Sequence, residues 1–411
     1  MADVETDFCV VGAGPAGLVL ALLLVRSGAR VTLVERSRSF EREYRGEILQ
    51  PGALSLLDQL GVLEAARARG AHEHHRFRLE DGDRVLLDSD YRALPAPYNY
   101  LLSIPQRHVL EELLGQCRRF AQFTYLDGNR VTALLRDGGR TTGVVTDREL
   151  VVNAHCVIGA DGRYSKVRRL AGIEDGRLDV FERDVLWLKV PVHGEAPRDV
   201  RIFRAGGEPV LSYVSVPGSI QLGWTLPHGR YNEVVGEGLD SLKERIGAAV
   251  PPYAELIREH VTSLRDLSLL DVFSGRAETW VRDGLVLIGD AAHTHSPIGA
   301  QGIMLAIQDA VVLHPILVDS WQSGDPSSAR LGAFLARQRD IDRVMRFQVA
   351  QSKVMLSTTG MAARVRPKMA SLVSRTPLYG RILRQIAYNN AGIRIATEAF
   401  TTPGRQNSPR R

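Results

Sequence analysis

The chain has 411 residues, 44% of them hydrophobic and 24% charged, which suits two folded domains and excludes global disorder. The net charge of +5 and the pI of about 9.2 suggest a polyanionic partner. That excess is local, because ten cations and one acid fall in residues 361–411 and leave the rest of the chain at −4.

Redox and targeting features predict a cytoplasmic protein. The cysteines, Cys9, Cys117 and Cys156, are too few and too scattered for a disulfide framework or a cysteine-rich metal site. The start, MADVETD, is acidic where a secretion signal is basic. Apolar runs such as 18–25 are too short to span a bilayer, so no stable membrane insertion is expected.

A glycine-rich turn joins the first predicted strand to the first predicted helix. Residues 7–11 (DFCVV) have the apolar pattern of a buried parallel strand and lead into GAGPAG. In such a turn Gly12 permits the bend, Gly14 lets the backbone approach a pyrophosphate, and Gly17 allows the helix to pack on the strand.

An acidic residue follows the second predicted strand, residues 31–34. Glu35 lies at the distance along the chain where a carboxylate binds ribose hydroxyls. Because an acid favours an unphosphorylated ribose, the unit predicts binding of NAD or of the AMP half of FAD. Ala16 and Arg36, beside these residues, are predicted to belong to the same site.

Two more apolar strands are predicted to stop at an aspartate in a small-residue turn. VIGAD ends at Asp161 and continues into Gly162, and GLVLIGD ends with Gly289 and Asp290. Ligands of an open α/β sheet bind beyond the carboxyl ends of its strands, where such an aspartate can hold a polyol chain. Either aspartate could instead be a helix N-cap.

A second glycine-rich turn follows, with Pro297, Gly299 and Gly302 before a helix predicted from its apolar spacing. The positive end of that helix would point at the cofactor site and stabilise negative charge there.

In this order the motifs resemble those of the class A flavoprotein monooxygenases, the p-hydroxybenzoate hydroxylase family, from about residue 7 to 336. The resemblance implies an α/β fold with a Rossmann-like FAD-binding domain, an inserted antiparallel-sheet substrate domain and a C-terminal helical region. It implies FAD as cofactor and NADPH or NADH as reductant. It also implies transfer of one oxygen of O2, through a flavin C4a-hydroperoxide, that hydroxylates or epoxidises an electron-rich, aromatic small molecule.

The resemblance also assigns residues. Arg45, in YRGEILQP, would lie beside FAD and guide its movement, and it is predicted to be catalytic together with Pro297, which would shape the oxygen pocket. Met304 stands where the family often has asparagine, and a thioether cannot donate a hydrogen bond to the flavin ring. The residues implied to hold FAD are Gly12, Gly14, Ala16, Gly17, Glu35, Arg36, Arg45, Gln106, Arg107, Asp161, Gly162, Gly289, Asp290, Pro297, Gly299, Gly302, Ile303 and Met304.

The chain is predicted to divide into two domains and a tail. The FAD-binding domain would comprise residues 1–73, 104–180 and 277–335. The substrate domain would comprise 74–103 and 181–276, where strand-like runs at 185–192, 210–216 and 220–226 predict an antiparallel sheet. Residues 336–411 would be helical and end in a disordered basic tail.

Several candidate side chains have simpler explanations. Trp187, Tyr213 and Trp224 are predicted to face the substrate, although ordinary core packing would also account for them. His72 and His74 share a strand face but lack a third ligand, so no metal site is predicted. The other pair, at positions 293 and 295, is expected to pack or form a turn rather than to transfer protons.

Other functions stay open. Met304 leaves room for a reductase or dehydrogenase of the same fold, and a cyclase-type protein could keep FAD only as structure. A flavin halogenase is disfavoured, because no lysine precedes Lys166 and GWTLP holds one tryptophan where the halogenase motif has two. The tail has too little aromatic interleaving for single-stranded nucleic acid, which leaves a solvated helical face, an acidic carrier protein or a membrane surface.

Overall fold

The computed structural model describes residues 3–41, 47–178, 183–192, 194–204, 208–355, 371–374 and 376–401, and the single residues 365 and 369. Arg45 and the predicted tail from residue 404 onward therefore lie outside the described residues. The division into domains stays a proposal, and the strands and helices are described here by the sheets they form.

The strands are β1 (Asp3–Val11), β2 (Val31–Val34), β3 (Ile48–Leu49), β4 (His72–His74), β5 (Arg76–Asp81), β6 (Arg84–Asp90), β7 (Leu101–Ser103), β8 (Phe123–Leu126), β9 (Val131–Asp137), β10 (Arg140–Thr146), β11 (Val151–Gly159), β12 (Asp175–Leu178), β13 (Arg183–Pro191), β14 (Asp199–Phe203), β15 (Val210–Ser215), β16 (Ser219–Pro227), β17 (Ser268–Leu270), β18 (Ser274–Ala277), β19 (Val281–Arg282), β20 (Leu285–Leu287) and β21 (His293–Thr294). The α-helices are α1 (Pro15–Arg26), α2 (Pro51–Gln59), α3 (Leu63–Ala68), α4 (Gln106–Cys117), α5 (Lys166–Leu170), α6 (Tyr231–Gly236), α7 (Leu239–Ala249), α8 (Ala254–His260), α9 (Gly302–Ser323), α10 (Ser328–Leu331), α11 (Gln338–Met355) and α12 (Pro377–Tyr388).

The first sheet is of the Rossmann type, with the order β19-β20-β11-β1-β2-β8. Its neighbours from β20 to β8 run parallel, while β9 and β10 extend it from β11 as an antiparallel pair. Residues 18–25 of α1 are all fully buried, because a helix between a parallel sheet and its neighbouring helices has no solvent face. The predicted strand, glycine turn and helix are confirmed.

The second large sheet has the order β17-β13-β16-β15-β14-β5-β6. Its pairs are antiparallel except for the parallel pair of β14 with β5. One face packs against α7 and α8 through leucines and isoleucines such as Leu222 and Ile246. The opposite face, with residues such as Trp187 and Thr225, borders the loop at residues 296–300. The predicted fold class, α/β with an antiparallel sheet and a helical C-terminal region, is confirmed.

Helix α9 is long and apolar enough to cross a membrane by length and composition alone. However, 67% of its most apolar window is buried inside the protein, and buried core helices pass the same test. A single helix of this kind is weak evidence for membrane insertion.

Candidate active site

Four parallel strands end side by side at one edge of the first sheet. Val11 of β1 is in register with Val34 of β2 and with Gly159 of β11, and Gly159 is in register with Leu287 of β20. The residues that follow these ends are those predicted to bind a dinucleotide. We call this the nucleotide edge, and ligands of open α/β sheets bind at such an edge.

The glycine turn at this edge is closely packed except at one position. Gly12 has φ of +108°, and a Cβ there would lie 2.4 Å from the carbonyl oxygen of Ala160. A Cβ on Gly17 would lie 2.0 Å from the carbonyl oxygen of Gly12. No described atom lies within 4 Å of the Cβ position of Gly14, the N-cap residue of α1. Open space thus lies where the backbone is predicted to approach a pyrophosphate.

The carboxylate of Glu35 is buried beside this turn, with 5% of the residue exposed. Its Oε2 accepts a hydrogen bond from the backbone N–H of Ala13 (2.7 Å), and its Oε1 accepts one from Ser37 (2.9 Å). A carboxylate is an acceptor-only group, which is the kind of group that ribose hydroxyls require as a partner. Arg36, the next residue, is exposed.

The two glycine–aspartate turns meet through arginines. Asp290 is about one third exposed and lies 3.7 Å from the guanidinium of Arg163. Arg168 is buried and donates to the carbonyl oxygen of Ala291 (2.8 Å), to that of Arg163 (3.1 Å) and to Asp175 (2.6 Å). The turn after β11 and the turn after β20 are therefore joined into one structure.

Asp161 binds the start of α5 without being its N-cap residue, which is Ser165. Its carboxylate accepts hydrogen bonds from the backbone N–H groups of Lys166 (2.7 Å) and Val167 (3.0 Å) and from the hydroxyl of Ser165. It thereby satisfies two backbone donors at the start of α5, although burial raises its pKa. Gly162, with φ of +84°, lies next to it in open space.

The buried carboxylate of Asp309 stabilises the turn at Gly289 through a hydrogen bond to its backbone. Asp309 of α9 is fully buried, and its Oδ2 accepts from Gly289 N–H (3.0 Å) and from His293 Nε2 (2.5 Å). Its Oδ1 accepts from Arg337 Nε (3.0 Å). His293 and Arg337 hold the pKa of Asp309 at about 2, against the opposing effect of burial. His295 contacts His293 at 2.8 Å, and burial lowers its pKa to about 3.

The predicted second glycine turn, residues 296–301, is held by glutamine side chains. Gln50 donates to the carbonyl oxygen of Gly299 (2.7 Å), and Gln348 donates to those of Ser296 (3.3 Å) and Ile298 (3.0 Å). Ala300 has φ of +49°, a conformation that is strained for a residue with a side chain. The 296–301 turn leads directly into α9, whose start no described side chain caps.

The remaining predicted cofactor residues are spread around this edge. Ala16 and Gly289 pack together, since a Cβ on Gly289 would lie 3.3 Å from that of Ala16. Gln106 is half-buried at the start of α4. Arg107 is exposed and lies 3.6 Å from Glu41. Ile303 is half-buried.

Met304 lies in the core rather than in open space. Its side chain is fully buried, and its sulfur lies 2.8 Å from where a Cβ on Gly52 would be. It packs on α2, so the contact of its side chain with the flavin ring stays a prediction without support from its position.

The nucleotide edge fits FAD. Open space at Gly14, the uncapped starts of α1 and α9 and the buried Glu35 together supply backbone donors for a pyrophosphate and an acceptor for a ribose. The partly exposed Asp290 supplies an acceptor for ribityl hydroxyls.

A large cleft lies between the second sheet, the 296–301 turn and helices α11 and α12, and encloses about 1070 Å³ of unfilled space, part of it open to solvent. Most of its walls are apolar. Its lining includes Ile48, Gln50, Phe77, Leu87, Ser89, Tyr91, Leu101, Arg183, Val185, Trp187, Val200, Ile202, Pro209, Leu211, Gly223, Thr225, Val272, Ser296, Pro297, Ile298, Gly299, Ala300, Gln351, Met355, Tyr379, Leu383 and Ile386.

The three aromatic residues predicted to face substrate have three different positions. Trp187 lines the cleft, and its ring lies against Gly223, where a Cβ would be 2.6 Å from the indole. Tyr213 is fully buried behind Trp187, edge-on at 6.2 Å between ring centroids, and does not belong to the lining. Its predicted contact with substrate is not supported by this position.

The prediction for Trp224 is wrong. Successive residues of a strand point to opposite faces, so Trp224 of β16 points away from the cleft that Gly223 and Thr225 line. Its ring packs in the core under α7 and α8, with the guanidinium of Arg245 at 5.3 Å.

Among the described residues, the side chains that could bind a metal ion make hydrogen bonds or ion pairs with neighbouring side chains. Asp184, His228 and Asp271 lie close enough to share an ion. However, His228 Nδ1 bonds Asp184 at 2.7 Å, and Asp271 pairs with Arg177 at 3.1 Å. Next to the cleft, His74 Nε2 bonds the hydroxyl of Ser103 (2.7 Å), and burial lowers its pKa to about 3.

The structure adds residues that the sequence did not single out. Asp309, Gln348 and Gln351 are polar residues within helices that carry no local motif, and Gln50 lies in YRGEILQP, where only Arg45 was given a role. For Asp309 a signal existed, since a charged residue among the apolar residues of a buried helix requires a partner.

Comparison with known proteins gives one family and several relatives. A model of the FAD binding domain matches residues 5–343. The 6-methylpretetramide 4-monooxygenase of Streptomyces rimosus is 58% identical over 400 residues, which cover 96% of this chain and 95% of that protein. A 12-dehydrotetracycline 5-monooxygenase/anhydrotetracycline 6-monooxygenase from Streptomyces rimosus subsp. rimosus is 28% identical over 75% of this chain and 61% of its own length.

Two solved structures are similar in fold. PqsL of P. aeruginosa in complex with 2-aminobenzoylacetate has a TM-score of 0.77 at 23% identity, covering 90% of this chain and 100% of that one. The p-nitrophenol 4-monooxygenase PnpA of Pseudomonas putida DLL-E4 has a TM-score of 0.77 at 20% identity, covering 95% and 99%. At these identities the structures show the fold alone.

Proposed function

This chain belongs to the FAD binding domain family and is an FAD-dependent monooxygenase, and from that premise we propose that it hydroxylates an electron-rich polycyclic phenol of the 6-methylpretetramide type. NADPH or NADH would reduce the cofactor, and O2 would supply the oxygen atom. The relative's name places the new hydroxyl at position 4, and identity of 58% over nearly the whole of both chains supports the same position here.

The observation that carries this proposal is the meeting of the cleft with the 296–301 turn. Pro297, Gly299 and Ala300 belong both to the turn and to the cleft lining. A substrate seated in the cleft would thus lie against the turn predicted to face the flavin. The opposite wall is the sheet, where Trp187 offers an aromatic surface to a flat, multi-ring substrate.

The residues of the nucleotide edge would hold the cofactor. The backbone around Gly14 and the start of α1 would bind the pyrophosphate, Glu35 the adenosine ribose, and Asp290 the ribityl chain. The start of α9 would place its positive end next to the flavin ring. Bound FAD would supply the electron transfer and the activation of O2 that no protein side chain provides.

The cleft would orient the substrate and keep water out. Several of its polar side chains have partners within the protein: Gln50 accepts from Tyr91 (3.3 Å), Ser89 bonds Tyr379, and Thr225 donates to the carbonyl oxygen of Pro209 (2.9 Å). Paired groups attract little water, so an apolar substrate can displace what remains. Attack would then fall on whichever ring carbon the walls hold against Pro297.

The test is substrate-stimulated turnover. Purified holoprotein is mixed with NADPH or NADH in air, and polycyclic phenols are screened for accelerated oxidation of the nicotinamide and for a product heavier by one oxygen atom. Turnover of the same substrate under argon would favour a reductase or dehydrogenase instead. FAD that is not bleached with any reductant would favour a cyclase-type protein.

A further inference from the structure

Helix α11 presents two glutamines, one turn apart, to the 296–301 turn. Gln348 is fully buried, and its amide nitrogen bridges the carbonyl oxygens of Ser296 and Ile298. Gln351 lines the cleft, and its Oε1 lies 3.4 Å from the position that a Cβ on Gly299 would occupy. Gln348 therefore binds the backbone of the turn, and Gln351 lies beside the turn and lines the cleft.

The Oε1 of Gln351 is buried and has no hydrogen-bond partner among the described residues. This sets it apart from Gln50, whose amide nitrogen and oxygen both have protein partners, and from the pair Ser89 and Tyr379. An unpaired buried acceptor is unfavourable, and a ligand with a donor in the right place removes that cost.

We propose that Gln351 accepts a hydrogen bond from a phenolic hydroxyl of the substrate and thereby decides which ring carbon faces the 296–301 turn. The inference rests on the proposed function. Hydroxylation of a phenol takes place at a ring carbon whose electron density is raised by a hydroxyl on the same ring. An acceptor beside the turn holds that hydroxyl, and so fixes the ring in one of its orientations. Gln351 is thus a specificity-determining residue.

The experiment compares Gln351→Leu with Gln338→Leu. Both changes remove a carboxamide from α11, but Gln338 lies at the start of the helix and does not line the cleft. FAD content should match the wild type in both variants. Substrate Kd, measured with the holoprotein by quenching of flavin fluorescence, should rise about 5–10-fold in Gln351→Leu, as expected for one lost neutral hydrogen bond. The product should also become a mixture of positions.

A methylated substrate separates hydrogen bonding from packing. When the hydroxyl of the attacked ring is replaced by a methyl ether, that position can no longer donate to Gln351, and wild type and Gln351→Leu should bind the ether with equal Kd. A persisting difference would assign the effect to shape and overturn the inference. Equal Kd for the free phenol with an unchanged product would also overturn it.

The proposed function fails in a different way. If no polycyclic phenol binds the wild type or stimulates nicotinamide oxidation, the proposed function is wrong. If the wild type turns over but Gln351→Leu behaves like Gln338→Leu, only the role of Gln351 is wrong.

Discussion

The nucleotide edge and the cleft are built on different principles. At the nucleotide edge the backbone forms the site, and glycines at positions 12 and 17 are required because no Cβ fits. In the cleft the side chains form the site, and they come from two helices, eight strands and several loops. A backbone site serves a cofactor that many proteins share, whereas a side-chain site can change its ligand by point substitution.

The largest expected effect comes from substitution of two glycines at the nucleotide edge. One substitution should destabilise the fold, and the other should leave it nearly as stable as before. Gly12→Ala should cost about 3 kcal/mol or more of unfolding free energy, because φ is +108° and the new Cβ meets Ala160. Gly14→Ala should fold with a cost within about 1 kcal/mol, since its φ is −82° and space surrounds it.

Urea unfolding measures the free energy of unfolding of both variants, and flavin content after gel filtration measures how much FAD the Gly14→Ala variant retains. Gly14→Ala should weaken FAD binding about tenfold or more, because the new methyl occupies the space for the pyrophosphate. Full flavin content in Gly14→Ala would contradict the assignment of this space.

The second prediction concerns the buried charge under Gly289. Asp309→Asn leaves the guanidinium of Arg337 without its buried counter-charge and should cost about 3–5 kcal/mol. Asp340→Asn is the matched control, because Asp340 also pairs with Arg337 but at a partly exposed site, and it should cost about 1 kcal/mol. Flavin retention should fall only in Asp309→Asn, and equal losses in both variants would remove Asp309 from its role in positioning the turn.

The third prediction changes the cleft and spares the nucleotide edge. A methyl on Gly223 would push the ring of Trp187 into the space for substrate. Gly223→Ala should therefore raise substrate Kd about tenfold with FAD content unchanged, and adding Trp187→Phe should restore part of the loss. Loss of flavin in Gly223→Ala would show that the two regions are not independent.

The last prediction is the response to acid, which both regions share. Burial lowers the pKa of His295 at the nucleotide edge and of His74 near the cleft to about 3, and that of His314 to about 4. Between pH 6.5 and about 4 the unfolded chain binds protons at these positions and the folded chain does not. Stability should thus fall with acid, by up to about 1.4 kcal/mol per pH unit for each histidine.

Denaturant titrations from pH 7 to pH 5 check this slope. His314→Gln removes one of the three groups and should reduce the slope of stability against pH by the contribution of one histidine. An unaltered slope in His314→Gln would contradict the assignment.

The sequence predicted the nucleotide edge because its signals are local. Gly12, Gly17 and Glu35 stand at fixed spacings that follow from the geometry of a single strand, turn and helix. Asp309 was not predicted, because its partners His293 and Arg337 come from other elements and meet only in the folded chain.

The cleft was harder to predict for a related reason. Its lining residues come from separate strands, helices and turns that meet only in the folded chain. The position of Trp224 did have a signal, because β16 alternates polar and apolar residues, and Trp224 shares the phase of Ile220 and Leu222, which form the core face of the strand. The role of Arg45 stays a prediction, because that residue lies outside the described part of the chain.

Incorporation of labelled oxygen tests the central claim most directly. The holoprotein is supplied with NADPH or NADH, a 6-methylpretetramide-type phenol and isotopically labelled O2 in unlabelled water, and the product is analysed by mass spectrometry. Our account predicts one labelled oxygen atom at the new hydroxyl. A product whose new oxygen comes from water, or oxidation of the nicotinamide that yields only hydrogen peroxide with every such phenol, would contradict it.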